Sequence, residues 1–251
     1  MQARTVFITG ASRGIGAALA RGLAADGHRV ALAARDGDAL VELAAETGGL
    51  AVPLDVTDGA ALPAAVAAAE AALGPIEVLI NNAGVSGSAP LARTDDALWA
   101  RTLAVNLEAP FRLCRAVVPG MVERGFGRVI FIASNAGLTG YAYTSAYCAS
   151  KHGVIGLCRA LAVELARSGV TVNAICPGFV DTPMAQAAVD TIARTTGRDP
   201  AQARQALERL SPQRRLIEPA EVVHAVRSLL PEAARGINGH ALALDGGQTL
   251  Y

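Results

Sequence analysis

The chain has 251 residues and a formal charge of zero, from 22 basic and 22 acidic side chains, and 52% of its residues are apolar. A neutral chain without a long basic run lacks the electrostatic footprint of a nucleic-acid-binding protein. No apolar run approaches the roughly 20 residues of a membrane-spanning helix. We therefore predict neither nucleic acid nor a membrane as a partner, and the N-terminus, which has no signal-peptide layout, is typical of a cytoplasmic protein.

The first elements of the chain predict a nucleotide site. Residues 4–9 form a short apolar run, which is followed by a glycine-rich turn from Gly10 to Gly16 and by a helical pattern that stops at Gly27. A strand, a glycine turn and a helix together present free backbone N–H groups to a pyrophosphate. The spacing is G-x-x-x-G-x-G, which differs from the usual G-x-G-x-x-G fingerprint.

The second predicted strand, residues 28–34, carries information about the cofactor at its end. A carboxylate at this position binds the adenosine ribose and selects NAD, but the strand ends in Ala34 and no acid follows before Asp36. Arg35, together with Arg13 in the glycine turn, is suited to pair with a 2′-phosphate. This favours NADP(H), with NAD(H) still possible. The alternative is that both arginines are simply solvated.

Strands and helices continue to alternate through the middle of the chain. The pattern predicts a helix at 37–49, a strand at 50–56, a helix at 59–73, a strand at 76–84 and a helix at 95–124. Asp55 and Asn82 follow two of these strands, and Trp99 and Phe111 are predicted to be packing residues rather than cofactor contacts. Asn106 lies inside the last helix, where Asn is a poor helix former, so a functional role requires a local break there.

A proton-transfer site is predicted where the fifth strand meets the next helix. The strand 127–134 ends at Ser134, and Tyr147 and Lys151 are four residues apart in a helical run that ends near residue 168. Both side chains then share one helix face. A nearby ammonium lowers the pKa of a phenol from its ordinary value near ~10. This suits proton transfer to or from a carbonyl or alcohol oxygen, although such a pair alone more often means a packed tyrosine beside a solvated lysine.

The last third of the chain completes the pattern. It predicts a sixth strand at 170–176, a turn-rich stretch at 177–183, a polar segment at 184–216, a helix from Pro219 and a final strand at 240–247. We interpret the polar segment as a mobile helical lid. The whole chain, 1–251, is then one α/β domain, a Rossmann-type doubly wound parallel sheet of about seven strands. The four scattered cysteines are predicted to be reduced core residues.

The chain resembles a classical short-chain dehydrogenase/reductase over nearly its full length. The matching pieces are TGASRGIG (9–16), NNAG (81–84), Asn106, Ser134, YCASK (147–151), PGFVDT (177–182) and DGG (245–247). Together, in this order and spacing, they are highly specific. The runs 147–157 and 163–185 are most similar to 3-oxoacyl-thioester reductases and aromatic polyketide ketoreductases. Members of the family often form tetramers, which implies a homotetramer or a dimer here.

The resemblance implies a role for each catalytic residue. Tyr147 would be the general acid in reduction and the base in oxidation, and Lys151 would lower its pKa and hold the nicotinamide ribose. Ser134 would orient the substrate carbonyl, and Asn106 would kink its helix and hold a water that links Lys151 to solvent. No metal is implied.

The same resemblance implies which residues bind the cofactor. They are Gly10, Ser12, Arg13, Ile15, Arg35, Asp55, Val56, Asn82, Ala83, Gly84, Tyr147, Lys151, Pro177, Gly178, Val180 and Thr182. A further set is predicted to line the substrate pocket, with packing of the lid as the alternative. This set is Asn135, Tyr141, Tyr143, Phe179 and Met184.

The predicted function is NADPH-dependent reduction of a ketone to a secondary alcohol. The expected substrate is a 3-oxoacyl thioester, on coenzyme A or a carrier protein, or a polyketide-like ketone. Carrier-protein docking is left open, because Gly125 and Ser168 stand where bacterial relatives carry docking arginines. One alternative is an NAD(P)-dependent secondary alcohol or hydroxyacid dehydrogenase of the same fold. Another is a dinucleotide sensor or scaffold without turnover.

Overall fold

The computed structural model describes residues 2–249, in which seven strands alternate with helices. The strands are β1 (Thr5–Thr9), β2 (Arg29–Ala34), β3 (Leu50–Pro53), β4 (Val78–Asn81), β5 (Gly127–Ile132), β6 (Val170–Pro177) and β7 (Ala241–Leu244). The helices are α1 (Gly14–Ala25), α2 (Gly37–Thr47), α3 (Ala61–Leu73), α4 (Asp96–Leu103), α5 (Ala109–Glu123), α6 (Ser145–Glu164), α7 (Pro183–Thr196), α8 (Pro200–Glu208) and α9 (Pro219–Leu229). A π-helical segment, Ala104–Glu108, joins α4 to α5.

All neighbouring strands in the sheet are parallel. Their order is β3-β2-β1-β4-β5-β6-β7. The chain starts at the centre, builds one half of the sheet out to β3 and then returns to β4 to build the other half. The predicted doubly wound parallel sheet of about seven strands is confirmed.

The sheet is buried on both faces, which explains why its strands are continuous apolar runs. Along β1, Phe7 points to one face, while Val6 and Ile8 point to the other. The first face packs against α3, α5 and α6, and the second against α1, α2 and α9. Of the four cysteines, three are buried as predicted, but Cys148 is only partly buried.

Several predicted boundaries are wrong in detail. The strands β3 and β4 are shorter than predicted, because the residues after them turn into loops at the edge of the sheet.

The segment 184–216 contains α7 and α8, so its helical character is confirmed, whereas its mobility stays a prediction. Trp99 and Phe111, predicted as packing residues, are only partly packed, since they are 42% and 46% exposed. Within residues 2–249, no helix has both the length and the apolar character needed to cross a bilayer.

The loops after β1 and β4 are tied together at the point where the strand order reverses. The Asn82 side chain donates hydrogen bonds from Nδ2 to the carbonyl oxygens of Thr9, at 2.8 Å, and Gly10, at 3.1 Å. The Thr9 hydroxyl in turn accepts hydrogen bonds from the backbone of Asn82 and Ala83, both at 3.0 Å. Ligands of open α/β sheets bind at such a reversal point.

Gly16 illustrates how closely the backbone approaches itself here. A Cβ atom at Gly16 would overlap the carbonyl oxygen of Gly10 and would lie 2.7 Å from Nδ2 of Asn82. We expect Gly16→Ala to lower the free energy of unfolding by about 1–3 kcal/mol through this overpacking, as measured by denaturant unfolding. The matched control is Gly37→Ala, whose added Cβ meets nothing within 4 Å. Equal stability of the two variants would contradict the close approach.

Candidate active site

A cavity of about 1090 Å³ opens along the carboxyl ends of the strands. The loops that follow β1 to β4 form one long side, and the end of β5 and the starts of α6 and α7 complete it. The size exceeds that of a typical drug-sized pocket, about 300–1000 Å³. A ligand as long as a dinucleotide therefore suits the cavity.

The glycine turn after β1 is shaped to hold an anion. Gly10 and Gly14 have φ angles of +65° and +57°, a region that other residues rarely adopt. A Cβ at Gly10 would lie 2.9 Å from Cα of Ala83. The N-cap residue of α1 is Arg13, whose backbone is extended and whose side chain makes no capping hydrogen bond. Uncapped N–H groups and the helix dipole together favour a phosphate at this position.

The end of the cavity beside β2 and β3 carries charged side chains. Arg35, which follows β2, is exposed and lines the cavity, as does the exposed Arg13 of the glycine turn. Asp55, which follows β3, also lines the cavity and accepts hydrogen bonds from the backbone N, at 2.9 Å, and the hydroxyl, at 2.7 Å, of Thr57. These hydrogen bonds hold the pKa of the Asp55 carboxyl below its usual value, and the Arg35 guanidinium contributes. Asp55 is thus ionised at neutral pH.

Tyr147 and Lys151 line the opposite part of the cavity from α6. Lys151 is 4% exposed, its Nζ donates a hydrogen bond to the Ile132 carbonyl oxygen at 2.9 Å, and Nζ lies 5.7 Å from the centroid of the Tyr147 ring. Burial lowers the pKa of the Lys151 ammonium to about 8.

The pKa of the Tyr147 phenol shifts in the direction opposite to our prediction. Burial raises it above its ordinary value, and the Ser134 hydroxyl opposes this shift only in part. The prediction of a lowered pKa is therefore wrong for the protein by itself, because desolvation of the phenolate is the largest influence on this pKa.

Ser134 and Asn106 are buried next to the cavity and do not form its wall. Ser134 follows β5, is 8% exposed and accepts a hydrogen bond from the Ala136 backbone at 3.1 Å. Its hydroxyl lies near the Tyr147 phenol, since it influences the pKa of that group.

Asn106 connects two parts of the site. It lies in the π-helical segment, so the local break that a functional Asn requires is confirmed. Its side chain accepts from the Val85 backbone N and donates to the Val85 carbonyl, both at 2.9 Å, and donates to the Ser150 hydroxyl at 3.0 Å. The Ser150 hydroxyl donates to the Tyr147 carbonyl at 2.7 Å. Asn106 thus joins the loop after β4 to the helix that carries Tyr147.

Most predicted cofactor residues line the cavity, and three do not. Those on the wall are Gly10, Ser12, Arg13, Ile15, Arg35, Asp55, Val56, Asn82, Ala83, Gly84, Tyr147, Lys151 and Thr182. Pro177, Gly178 and Val180 lie outside it, because this segment pairs with other backbone. Gly178 donates its N–H to the Leu244 carbonyl at 3.0 Å, and Val180 forms an isolated bridge with Ile217.

Most residues of the predicted substrate pocket lie outside the wall of this cavity, and their contact with a substrate stays a prediction. Of its five residues only Met184 lines the cavity. Tyr141 and Phe179 pack edge to face against each other, with 6.5 Å between ring centroids. Asn135 is 3% exposed and its amide donates to Oε1 of Gln248 at 3.0 Å, while Tyr143 is 64% exposed on the loop before α6. These four residues pack beside the cavity or face solvent.

Sequence reasoning missed other residues of the cavity wall. They include Val85, Ser86, Arg101, Pro183 and Ala187. Val85 and Ser86 directly follow the NNAG motif, so the motif itself was a signal for them. Arg101 had no such signal, because its place depends on how α4 packs beside the sheet.

The known proteins that this chain is similar to include several reductases of ketoacyl groups. A family model described as short chain dehydrogenase matches residues 4–193. A putative ketoacyl reductase of the granaticin polyketide synthase from Streptomyces violaceoruber is 40% identical, covering 98% of this chain and 93% of that protein. A 3-oxoacyl-[acyl-carrier-protein] reductase from Mycobacterium tuberculosis is 38% identical, covering 97% and 92%. A crystal structure of an actinorhodin polyketide ketoreductase variant with NADPH has a TM-score of 0.96 and 36% identity, covering 99% and 98%.

Proposed function

Because this chain belongs to the short chain dehydrogenase family, we propose that it is a ketoreductase that uses NADPH to reduce a ketone to a secondary alcohol. The observation that carries the proposal is the placement of Tyr147 and Lys151 in one cavity with the glycine turn and two exposed arginines. The relatives support it, since they are named as ketoacyl and 3-oxoacyl reductases and the similar structure contains NADPH.

The residues of the cavity fit this cofactor. The glycine turn and the free N–H groups at the N-terminus of α1 would hold the pyrophosphate. Arg13 and Arg35 would pair with the 2′-phosphate, and Lys151 would hold the nicotinamide ribose. When bound, NADPH supplies the hydride.

The protein's own groups handle the charge on the substrate oxygen. Ser134 orients the carbonyl beside Tyr147, and Tyr147 donates its proton to the oxygen as negative charge develops there. The raised pKa of the phenol keeps that proton in place at neutral pH. The Lys151 ammonium lies 5.7 Å from the Tyr147 ring centroid. It stabilises the Tyr147 phenolate that remains after the proton transfer. Asn106 fixes the position of the helix that carries Tyr147 relative to the loop after β4, through its hydrogen bonds to Val85 and Ser150.

We assign a 3-oxoacyl thioester, on coenzyme A or a carrier protein, or a polyketide-like ketone as the substrate class. The relatives, which are named as ketoacyl and 3-oxoacyl reductases, favour this class over a simple alcohol. The second candidate, a secondary alcohol or hydroxyacid dehydrogenase, is less favoured, because β2 ends in Ala34 where an NAD-dependent enzyme carries a carboxylate, and the basic Arg35 follows it.

We further propose that the segment 184–216 acts as a lid. The helices α7 and α8 share a small apolar cluster of their own, separate from both faces of the sheet. Met184 and Ala187 of α7 line the cavity. An ion pair between Arg204 and Asp181, at 2.6 Å, ties α8 to the loop before α7.

Self-association into a homotetramer is also part of the proposal. Trp99, Phe111 and Val163, which are 42%, 46% and 80% exposed, lie on α4, α5 and α6. Exposed large apolar side chains on neighbouring helices are typical of an interface. The cytoplasmic location stays a prediction from the sequence.

The substrate class is tested by mixing the purified protein with NADPH or NADH and a panel of ketones. The panel contains acetoacetyl-CoA, decalone and small aryl ketones, and the loss of reduced nicotinamide absorbance is followed. We expect the fastest oxidation with NADPH and acetoacetyl-CoA or decalone. Activity only with NADH, or only on simple aryl ketones, would favour the alcohol dehydrogenase.

The pKa of Lys151 predicts the shape of a pH profile. Because the folded-state pKa is lowered to about 8, the ammonium is present below that pH and is lost above it. We expect kcat/KM for NADPH, which reports on the free enzyme, to fall about tenfold per pH unit above pH 8. Tyr147 does not produce this limb, since its pKa is raised.

Lys151→Arg provides the control for the profile, because a guanidinium stays charged over the whole range. In this variant the descending limb should move to higher pH, whatever the absolute rate. A wild-type profile that stays level well above pH 8 would contradict a role for the charged lysine.

A further inference from the structure

The turn that follows β7 is held in place by a buried side chain. The carboxyl group of Asp245 accepts hydrogen bonds from the backbone N of Gly247, Gln248 and Thr249, at 3.0, 3.1 and 3.0 Å. The Thr249 hydroxyl also donates to it, at 2.7 Å. Four hydrogen bonds to one buried group hold the backbone of the turn in one conformation. The Gln248 side chain therefore starts from a fixed point.

This side chain holds the amide of Asn135. Nδ2 of Asn135 donates to Oε1 of Gln248 at 3.0 Å, and Asn135 is 3% exposed. Gly178 bounds the amide on another side, since a Cβ there would lie 3.6 Å from Nδ2. Because the amide nitrogen faces Gln248, the amide oxygen is left facing Ser134.

Ser134 is thereby contacted from two sides. Oδ1 of Asn135 lies 3.4 Å from the Ser134 hydroxyl, which can donate to it, and the same hydroxyl accepts from the Ala136 backbone N at 3.1 Å. A separation of 3.4 Å is long for such a bond, whose usual length is about 2.7–2.8 Å. The contact therefore orients the hydroxyl while its proton stays free to turn to a substrate carbonyl.

We propose that Gln248 is a positioning residue of the reduction, which holds Ser134 ready for the substrate carbonyl through the amide of Asn135. Asn135 and Gln248 both lie outside the cavity wall, so they act through Ser134. A hydrogen-bond donor stabilises developing charge best when it is oriented in advance. The inference rests on the proposed function, because Ser134 has this role only in the reduction of a ketone.

Gln248→Met tests the inference on the full-length protein. Methionine has a similar length, but its thioether is only a weak acceptor, so the Asn135 amide loses its anchor. We expect kcat for the ketone that the wild type reduces fastest to fall about tenfold, because small displacements of a positioned group are costly. The affinity for NADPH, measured by fluorescence of the reduced nicotinamide, should change less than about twofold.

Thr249→Val is the matched control. It removes a hydrogen bond to Asp245 from the same turn and leaves the contact between Gln248 and Asn135 in place. Its kcat should stay within about twofold of the wild type. An equal loss of kcat in Thr249→Val and Gln248→Met would overturn the inference, since the turn would then act as a whole.

A double-mutant cycle with Ser134→Ala separates positioning from general support of the fold. If Gln248 acts through Ser134, then Gln248→Met should change the single-turnover rate of Ser134→Ala by less than about twofold. An undiminished tenfold loss in that background would overturn the inference. A wild-type kcat in Gln248→Met alone would overturn it as well.

Hydrogen exchange of the Asn135 side-chain amide provides a readout that needs no turnover. Its NMR signals are assigned from their absence in Asn135→Ala, and they should exchange faster in Gln248→Met than in the wild type. Unchanged exchange would contradict the contact. Failure of the proposed function looks different: the wild type would reduce no ketone of the panel, although the exchange still responded to Gln248→Met. The positioning role would then fall with the function.

Discussion

Replacing Tyr147 with Phe is expected to lower kcat for ketone reduction by about 10²-fold to 10⁴-fold, while the affinity for NADPH changes little. The ring still fills its place on α6, but the proton that quenches the developing charge on the substrate oxygen is gone. The Lys151 ammonium remains 2.9 Å from the Ile132 carbonyl, which anchors it independently of the phenol. Single-turnover rates and fluorescence titration with NADPH separate the two effects.

Tyr143→Phe is the control for this result. It removes the same oxygen atom from a ring that is 64% exposed and lies outside the cavity wall. Its kcat should stay within about twofold of the wild type, as for surface substitutions in general. A Tyr147→Phe variant with near wild-type kcat would show that the acid has been assigned to the wrong residue.

Replacing Arg35 with Asp is expected to reverse the preference between the two cofactors. The change removes a charge-assisted contact and places a carboxylate after β2, where it repels a 2′-phosphate and can bind the ribose hydroxyls. We expect the ratio of kcat/KM for NADPH to that for NADH to fall by roughly 10²-fold or more. Initial rates with each cofactor at a fixed ketone concentration measure it.

Arg35→Gln separates the two contributions to that change. Loss of the positive charge alone should weaken NADPH use by roughly tenfold and leave NADH use nearly unchanged. If Arg35→Asp uses both cofactors as the wild type does, the exposed guanidinium after β2 plays no part in selection.

The fold could be predicted from the sequence because local pattern and tertiary environment agree. Strands such as β1 and β5 are continuous apolar runs, and their full burial on both faces is what such runs require. The predicted strand β3 was too long, because the alternation of buried apolar residues continues through Leu54 and Val56. These two residues lie in the loop beyond Pro53, the last residue of β3 that pairs with β2.

The candidate site could be predicted only where spacing determines geometry. Tyr147 and Lys151 share a helix face, so their pairing follows from a separation of four residues. The direction of the Tyr147 pKa could not be predicted, because it depends on how deeply tertiary packing buries the phenol. Arg101 and the edge-to-face contact of Tyr141 with Phe179 were missed for the same reason, since both depend on contacts between elements distant in the chain.

Hydride transfer to a ketone in this cavity can be followed with an isotope. Acetoacetyl-CoA or decalone would be incubated with the protein and NADPH deuterated at the transferred position of C4. We expect an alcohol that carries one deuterium on the carbinol carbon, and we expect none from Tyr147→Phe at the same time point. An alcohol without deuterium, or an equal yield from Tyr147→Phe, would contradict it.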